Sequence, residues 1–214
     1  MYDLPYHKET DERVLREFIS KHPFAFVTGC DANGQPVATQ IPVFFEERDG
    51  HQFLRGHLMK NTDHHTAFED NPNVLVVFTS HNAYVSGSWY SDPHTPSTWN
   101  YMSVHVQGTI RFLEGLELER ILKKTSLHFE GDDEQSPTTF ENLPKRLTDR
   151  LVHAIVAFEV EVESLDSVFK LSQDRDAESY HRIIHKLREN GEAGRFIADE
   201  MEKRADKLFP KKNA

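Results

Sequence analysis

Residues 24–58 contain three strand-like segments that follow one another with only turn signals between them. The first two flank Asn33-Gly34, and the second and third flank Asp49-Gly50. Both dipeptides are typical of tight β-hairpin turns, and such hairpins make neighbouring strands antiparallel. This succession argues against a parallel nucleotide-binding sheet, and the chain also lacks a Gly-x-Gly-x-x-Gly or P-loop motif.

The rest of the chain extends this pattern to six or seven antiparallel strands. Helical periodicity is predicted near both ends of the chain and in short stretches between strands. The fold class predicted is therefore mainly β with helices: a β-barrel with N-terminal and C-terminal helices. The further strands are predicted at residues 73–80, 83–90, 99–114 and 155–162.

The length of 214 residues, with 37% hydrophobic residues, supports one large domain or one domain with an appended helical piece. The strand-like segments end before a long helical stretch. We therefore predict a barrel domain at residues 1–170 and a C-terminal helical extension, packed on the barrel, at residues 171–214.

The formal net charge of −10 makes this chain a poor match for nucleic acid, whose binding depends on Lys and Arg at phosphates. No apolar run approaches membrane-spanning length, and the first residues lack the pattern of a signal peptide. Cys30 is the single cysteine, so no internal disulfide can form. A cytoplasmic location without membrane association is expected.

The segment from Phe53 to His65 is a candidate anion site. A predicted strand ends there and a helix begins near Asn61, with Arg55 and Lys60 beside the junction. Free backbone N–H groups at a helix N-terminus, together with a nearby cation, suit a phosphate. The alternative is an ordinary capped helix with surface cations.

Both tryptophans lie between residues 88 and 108, where a Pro-rich loop enters a predicted strand. The large rings and polar groups of Trp99, Asn100 and Tyr101 suit a planar ligand or a subunit interface. Core or dimer packing is the alternative for them, and packing is the expected role of Trp89 and Tyr90.

Other clusters carry weaker signals. In residues 169–176 (FKLSQDRD), Lys170, Gln173 and Arg175 are within reach of an anion or a ring edge. His57, His64 and His65 lack the spacing of a metal site, so no metal is predicted. No Gly-x-Ser-x-Gly elbow or catalytic triad is present, and no catalytic residue is assigned.

In this order, the segments MYDLPYHKETD, PVATQIPVFFE, GHLMKNTDHHTAFEDNPNVLVVFTSHNAYVSGSWY, PSTWNYMSVHVQGTIRF and FKLSQDRD resemble the PaiB-like family of FMN-binding proteins, also called the negative transcriptional regulator family. The resemblance covers nearly the whole chain. It implies the split β-barrel of the pyridoxamine-phosphate-oxidase-like flavoproteins. It also implies a homodimer with FMN at or near the subunit interface.

The resemblance also implies a set of cofactor-binding residues. Lys60 and Asn61 would lie at the FMN phosphate, where relatives often carry two basic residues, with Arg55 nearby. Thr39 and Gln40 would lie along the isoalloxazine ring. Trp99, Asn100 and Tyr101 would close the site, and the segment KLSQ would add Lys170 and Gln173. The full set is Thr39, Gln40, Arg55, Lys60, Asn61, Trp99, Asn100, Tyr101, Lys170 and Gln173.

The family name implies a regulatory flavoprotein. Direct DNA binding without a partner is not expected, because the chain has no basic recognition helix and its C-terminal basic residues are interspersed with acidic ones. Two alternatives stay open: an FMN-dependent oxidoreductase of a small substrate, and a haem-binding or haem-degrading split-barrel protein. Whether the chain is an enzyme is left open.

Overall fold

The computed structural model of the chain describes residues 2–92 and 94–210. The helices and strands of this part are listed here in chain order, and two short 3₁₀ helices, Pro5–His7 and Gly87–Trp89, accompany them. They are α1 (Glu12–Lys21), β1 (Phe24–Cys30), β2 (Pro36–Arg48), β3 (His51–Met59), α2 (Asp63–Asp70), β4 (Asn73–Val85), β5 (Thr98–Leu113), α3 (Leu116–Phe129), α4 (Lys145–Ala154), β6 (Ile155–Lys170), α5 (Ala177–Arg188) and α6 (Gly191–Leu208).

The strands close into a barrel in the order β1-β2-β3-β6-β5-β4. The pairs β1–β2, β2–β3, β3–β6 and β1–β4 are antiparallel. Six strands lie in the described residues, within the six or seven predicted. The strand expected at 73–80 continues to Val85 as β4, and the rest of the strand expected at 83–90 contains the 3₁₀ helix Gly87–Trp89. The predicted fold class, mainly β with helices, is confirmed.

The two predicted hairpin turns have the backbone conformations that their residues favour. Asp49 and Gly50 both have positive φ, 54° and 80°, as a two-residue type I′ turn requires. Gly34 has a φ of 78°, and its N–H donates to the carbonyl oxygen of Asp31 at 3.0 Å. These turns set the register that brings Phe26 opposite Gln40 and Phe44 opposite Arg55.

The chain divides into two compact units. The barrel unit comprises residues 16–78 and 105–165. The helical unit comprises the described residues of 1–15, 79–104 and 166–214 and includes α5 and α6. The predicted domain boundary at residue 170 stays a prediction.

The core of the barrel unit follows from the alternation of side chains along its strands. On β1, Ala25 and Val27 are fully buried, whereas Phe24 and Phe26 are 54% and 43% exposed. Successive residues of a strand point to opposite faces, so one face of β1 lines the interior and the other lies outside. Further apolar side chains with no exposed area in this unit include those of Val43, Leu54, Val76, Phe78, Val106, Phe158 and Val160.

A second apolar cluster of the barrel unit joins α3 to β6. Leu118, Ile121 and Leu122 recur at helical spacing and pack with Ile155 and Ala157. This cluster buries the apolar face of α3 against the start of β6.

The helical unit has a core between α5 and α6. Tyr180 and Ile183 from α5, and Ile197 and Met201 from α6, are fully buried. The hydroxyl of Tyr180 donates to the backbone oxygen of Met201 at 2.8 Å, so its polar atom is satisfied inside this core. In the described part of the chain, no helix is both long and apolar enough to span a bilayer.

Candidate functional site

The predicted cofactor residues fall into two groups, one in each unit. Five belong to the barrel unit and five to the helical unit, and each group is described within its own unit. The first group is Thr39, Gln40, Arg55, Lys60 and Asn61; the second is Trp99, Asn100, Tyr101, Lys170 and Gln173.

Thr39 and Gln40 point to opposite faces of β2. Gln40 is the cross-strand partner of the exposed Phe26, whereas Thr39 is opposite Val27, which is fully buried. Directly opposed residues share a face of the sheet. Gln40 therefore lies on the outer face and is exposed, whereas Thr39 lies on the inner face and is half-buried.

Arg55 is held by carboxylates rather than facing solvent. Its side chain is 7% exposed, and its Nη1 lies 3.1 Å from Glu46 Oε2. Its Nη2 donates to Glu117, and its Nε lies 3.1 Å from Glu159 Oε2. Burial lowers the pKa of Arg55, but the bond to Glu117 and the charges of Glu46 and Glu159 outweigh it, so the pKa is raised.

Glu159 is the centre of this ion cluster. It has no exposed area, and besides Arg55 it contacts Arg48 at 3.2 Å and accepts from Arg111 Nε at 3.0 Å. Buried charges persist only when they are paired and hydrogen-bonded. Sequence reasoning missed this cluster, although a single carboxylate in the apolar run IVAFEV was a usable signal.

Lys60 and Asn61 lie at the junction between β3 and α2, as predicted. Asn61 is exposed and has a φ of 60°, and the Thr62 side chain then caps α2 by accepting from the His65 N–H at 3.3 Å. The Lys60 backbone N–H donates to the Ala154 carbonyl oxygen at 2.9 Å.

The amine of Lys60 is paired with an exposed carboxylate. Its Nζ donates to Glu114 Oε1 at 2.7 Å, and the Lys60 side chain is 28% exposed. An exposed ion pair of this kind contributes little stability, about 0–1 kcal/mol. A phosphate can therefore displace Glu114 at small cost.

Trp99 and Tyr101 are brought together on one side of β5. They line an open cavity of about 410 Å³ whose other lining residues are Thr79, Ser80, Asn82 and Met102. Trp99 is 53% exposed, and its ring meets that of Tyr84 edge-on, with 5.7 Å between the centroids. The exposed ring of Trp99 and the half-buried ring of Tyr101, beside polar side chains, suit the face of a planar heteroaromatic molecule.

Asn100, which lies between Trp99 and Tyr101 in the sequence, is fully buried instead. Its Oδ1 accepts from the Ser172 hydroxyl at 3.0 Å, and its Nδ2 lies 3.4 Å from the sulfur of Met201. In these contacts Asn100 ties β5 to the loop after β6 and to α6.

Lys170 and Gln173 lie in or next to that loop and keep few free polar atoms. Lys170 Nζ donates to Thr98 Oγ1, and burial lowers the pKa of Lys170. Gln173 Oε1 accepts from the Leu171 N–H at 2.7 Å and lies 3.1 Å from His7 Nδ1, while its Nε2 donates to the Phe169 carbonyl oxygen. Both residues can still offer N–H donors to an acceptor group.

His57 belongs to the group of three histidines, with His64 and His65, that the sequence suggested. Its Nδ1 is buried without a hydrogen-bond partner in the part that the structure describes, and burial lowers its pKa. Across residues 2–92 and 94–210, no three His, Cys, Asp or Glu side chains are placed to hold a metal ion.

Comparison with known proteins gives consistent similarities. A family model described as "Putative FMN-binding domain" matches residues 1–164. The chain is 32% identical over 213 residues to the protease synthase and sporulation protein PAI 2 of Bacillus subtilis, covering 97% of this chain and 98% of that protein. It is 25% identical to an uncharacterized protein of Aspergillus fumigatus, with 96% and 98% coverage.

Solved structures resemble the chain in fold. The flavocytochrome Anf3 of Azotobacter vinelandii matches with a TM-score of 0.56 at 15% identity, covering 79% of this chain and 72% of that one. A conserved hypothetical protein of Mycobacterium tuberculosis, Rv2991, also matches with a TM-score of 0.56, at 13% identity with 79% and 91% coverage. At these identities the similarity extends to the split-barrel fold alone.

Proposed function

The chain belongs to the FMN-binding-domain family, and we propose that it acts as a homodimeric flavoprotein with a regulatory role of the PaiB type. FMN is its cofactor, and the family match over residues 1–164 is the observation that carries this conclusion. When bound, FMN supplies redox chemistry that amino-acid side chains lack. The protein contributes binding, orientation and electrostatics.

The regulatory role is supported by the relative PAI 2, whose name connects it with protease synthesis and sporulation. The cations of α5 and α6 do not favour direct contact with DNA. Arg182 is paired with Glu178, Lys186 with Glu189 at 3.1 Å, and Arg188 with Asp199 at 3.1 Å. We therefore propose regulation through a partner or through the flavin, not through a DNA-binding surface of this chain.

Two experiments test the proposed cofactor and the proposed absence of direct DNA binding. The absorbance spectrum of the fresh protein should show flavin bands, whereas a Soret band would support haem instead. In a gel-shift assay at physiological salt, micromolar protein should leave promoter DNA unshifted. A salt-sensitive shift would contradict the proposed indirect mode.

The phosphate-binding residues are proposed in the barrel unit. Lys60, with a side chain that is 28% exposed, and the exposed Asn61 directly precede α2, and the N-terminal end of a helix attracts anions. The first N–H groups of α2 are already bonded by Asp63 and Thr62, so the proposed phosphate contacts are those of Lys60 and Asn61. Arg55 is committed to three carboxylates, so its proposed contribution is to the local field and not a direct bond. Gln40, exposed on the outer face of β2, is proposed to contact the cofactor, with Thr39 behind it.

The ring-binding residues are proposed in the helical unit. Trp99 and Tyr101 offer ring faces in the open cavity, and Lys170 and Gln173 offer N–H donors. Asn100 is proposed to act indirectly, because its own polar atoms face Ser172 and Met201.

We expect Trp99→Ala to weaken FMN binding by about 2- to 10-fold, the range of one aromatic contact. The loss of a flavin-stacking ring is the physical reason. Fluorescence titration of the flavin-free protein measures the affinity. The matched control is Phe129→Ala, an aromatic with 54% exposure in the barrel unit. Unchanged flavin affinity and unchanged gel-filtration mass in Trp99→Ala would refute the role of this ring.

The homodimer is supported by an apolar outer face on the barrel unit. Phe24 and Phe26 are large, exposed and on the same side of β1. Their cross-strand partners on β2 and β4, together with Leu75 opposite Thr28, continue this surface, which we call the β1 face. It consists of Phe24, Phe26, Gln40, Pro42, Leu75 and Val77. Contiguous apolar surface of this kind marks an interface, and a second copy of the chain is its proposed occupant.

We expect Phe26→Lys to convert the dimer to a monomer, because a lysine at the centre of an apolar interface would be desolvated without a partner. Light scattering at micromolar concentration should give half the wild-type mass. Phe129→Lys, which changes a ring that is 54% exposed elsewhere on the unit, against 43% for Phe26, should stay dimeric. A wild-type monomer, or a dimeric Phe26→Lys, would contradict the proposal.

An oxidoreductase is the second candidate function. The cavity of about 410 Å³ beside Trp99 is open and has room for a second planar molecule next to a flavin ring. Bleaching of the flavin by NAD(P)H, followed by reoxidation with a small acceptor, would support the enzyme over the regulator. Flavin that stays oxidised with both nicotinamide cofactors would exclude this reductant.

A further inference from the structure

Two buried tyrosines of the helical unit differ in what their hydroxyl groups contact. Tyr180 has no exposed area, and its hydroxyl donates to the Met201 carbonyl oxygen. Tyr90 is 5% exposed, and its buried hydroxyl has no hydrogen-bond partner anywhere in residues 2–92 and 94–210. Buried polar atoms without partners are rare in folded proteins because they are destabilising. The difference makes the Tyr90 hydroxyl, unlike that of Tyr180, a donor that is available to a bound molecule.

The Tyr90 ring is fixed in position by its own unit. Its backbone N–H donates to the Gly87 carbonyl oxygen at 3.2 Å, and its carbonyl oxygen accepts from Arg182 at 3.4 Å. The guanidinium of Arg175 lies 5.0 Å from the ring centroid. The next residue, Ser91, donates its N–H to Ser179 Oγ at 2.8 Å. A side chain held in this way presents its hydroxyl in one direction at little entropic cost.

Neighbouring side chains connect Tyr90 with the proposed ring site. Tyr84 acts on it electrostatically, and the Tyr84 ring is in edge contact with Trp99, which lines the aromatic cavity. Asp174 and Arg175 also act on it, and they follow Gln173 directly in the loop after β6. Tyr90 is thus connected with the proposed ring site through Arg175, which contacts its ring two residues after Gln173, and is not itself among the residues that line the cavity.

The protonation state of the hydroxyl determines which kind of group can bind to it. Burial raises the pKa of Tyr90, although Arg175 acts in the opposite sense, so the phenol stays protonated at neutral pH and can donate. Its partner is an acceptor such as a carbonyl oxygen, and an isoalloxazine ring carries two. Because the hydroxyl is shielded, the acceptor reaches it by displacing the side chains that cover it.

We propose that the Tyr90 hydroxyl donates a hydrogen bond to a carbonyl oxygen of the bound isoalloxazine ring. Tyr90 is then a further cofactor-contacting residue, in addition to the packing role that the sequence predicts. This inference rests on the proposed binding of the flavin ring beside Trp99 and Tyr101.

A matched pair of Tyr→Phe variants tests the proposal. Tyr90→Phe should weaken FMN affinity by about 3- to 10-fold, the value of one neutral hydrogen bond, and should shift the visible flavin band. The melting temperature of its flavin-free form should be unchanged or higher, because an unpaired buried hydroxyl is removed. Tyr180→Phe should lower that melting temperature and leave FMN affinity unchanged, because its hydroxyl is bonded within the protein.

Two results would overturn the proposal. Equal FMN affinity of Tyr90→Phe and wild type would show that the hydroxyl does not contact the flavin. A lower melting temperature of flavin-free Tyr90→Phe would show that the hydroxyl is bonded within the protein or to a buried water. If Trp99→Ala weakens FMN binding and Tyr90→Phe does not, only the Tyr90 role fails; if neither does, the ring site itself is wrong.

Discussion

We expect Glu159→Ala to lower the free energy of unfolding by about 3–5 kcal/mol, the usual cost of removing one partner of a buried ion pair. Arg55 would stay buried with its Nε facing a cavity, and Arg48 and Arg111 would lose the carboxylate that both contact. For a chain of this length the melting temperature should fall by roughly 6–20 °C. Calorimetry or thermal circular dichroism measures it.

Two comparison variants make the Glu159 result specific. Glu163→Ala removes an exposed carboxylate of the same strand and should change the melting temperature little. The double variant Glu159→Met with Arg55→Met should recover part of the loss, because both buried charges are removed together. A Glu159→Ala melting temperature within 2 °C of wild type, about the effect of 1 kcal/mol or less, would show that the cluster is not a buried network.

Lys60→Glu should weaken FMN binding by about 100-fold. A charge-assisted bond contributes about 1.5–3 kcal/mol, and the new carboxylate would also repel the phosphate. The quantity to measure is the dissociation constant of FMN, compared with that of riboflavin, which has no phosphate. Riboflavin affinity should change little, because the substitution acts at the phosphate.

A control and a converse variant accompany Lys60→Glu. Lys123→Glu makes the same charge change at a lysine of the barrel unit that is paired with Glu141 at 2.7 Å, and FMN affinity should stay as in the wild type. Glu114→Gln removes the carboxylate that pairs with Lys60 and should tighten FMN binding by a few fold. If Lys60→Glu and Lys123→Glu bind FMN equally well, Lys60 is not the phosphate ligand.

Local signals were sufficient to predict the fold class but not every boundary. The turn at Asp49-Gly50 and the alternation along β1 are properties of a few adjacent residues, so the hairpins could be predicted from the sequence. The segment 83–90 was expected as a separate strand, but its first three residues continue β4, and no local residue marks the join. Helix α4 was not predicted, because the stretch before it is rich in turn residues. Its apolar residues also pack on α3, which is separated from it in the sequence.

The sequence was sufficient to predict which residues belong to the candidate site, but less so to predict the directions in which their side chains point. Trp99 and Tyr101 could be grouped with Asn100 because the three are adjacent, but strand alternation directs Asn100 to the opposite side. Arg55 was predicted near a phosphate because of its charge and position. The carboxylates that hold it come from β2, α3 and β6, and only the folded register brings these together. Tyr90 could not be distinguished from any packed tyrosine without knowledge of its hydroxyl contacts.

Gln40 and Phe26 face each other across β1 and β2, so one exposed patch carries both a proposed cofactor contact and the centre of the proposed interface. With the flavin held between two copies at this patch, association and cofactor loading would be linked, and each would favour the other by mass action. Dilution alone would release flavin. The abundance of the protein in the cell would thus act as an input signal, setting how much of it is loaded without any separate effector.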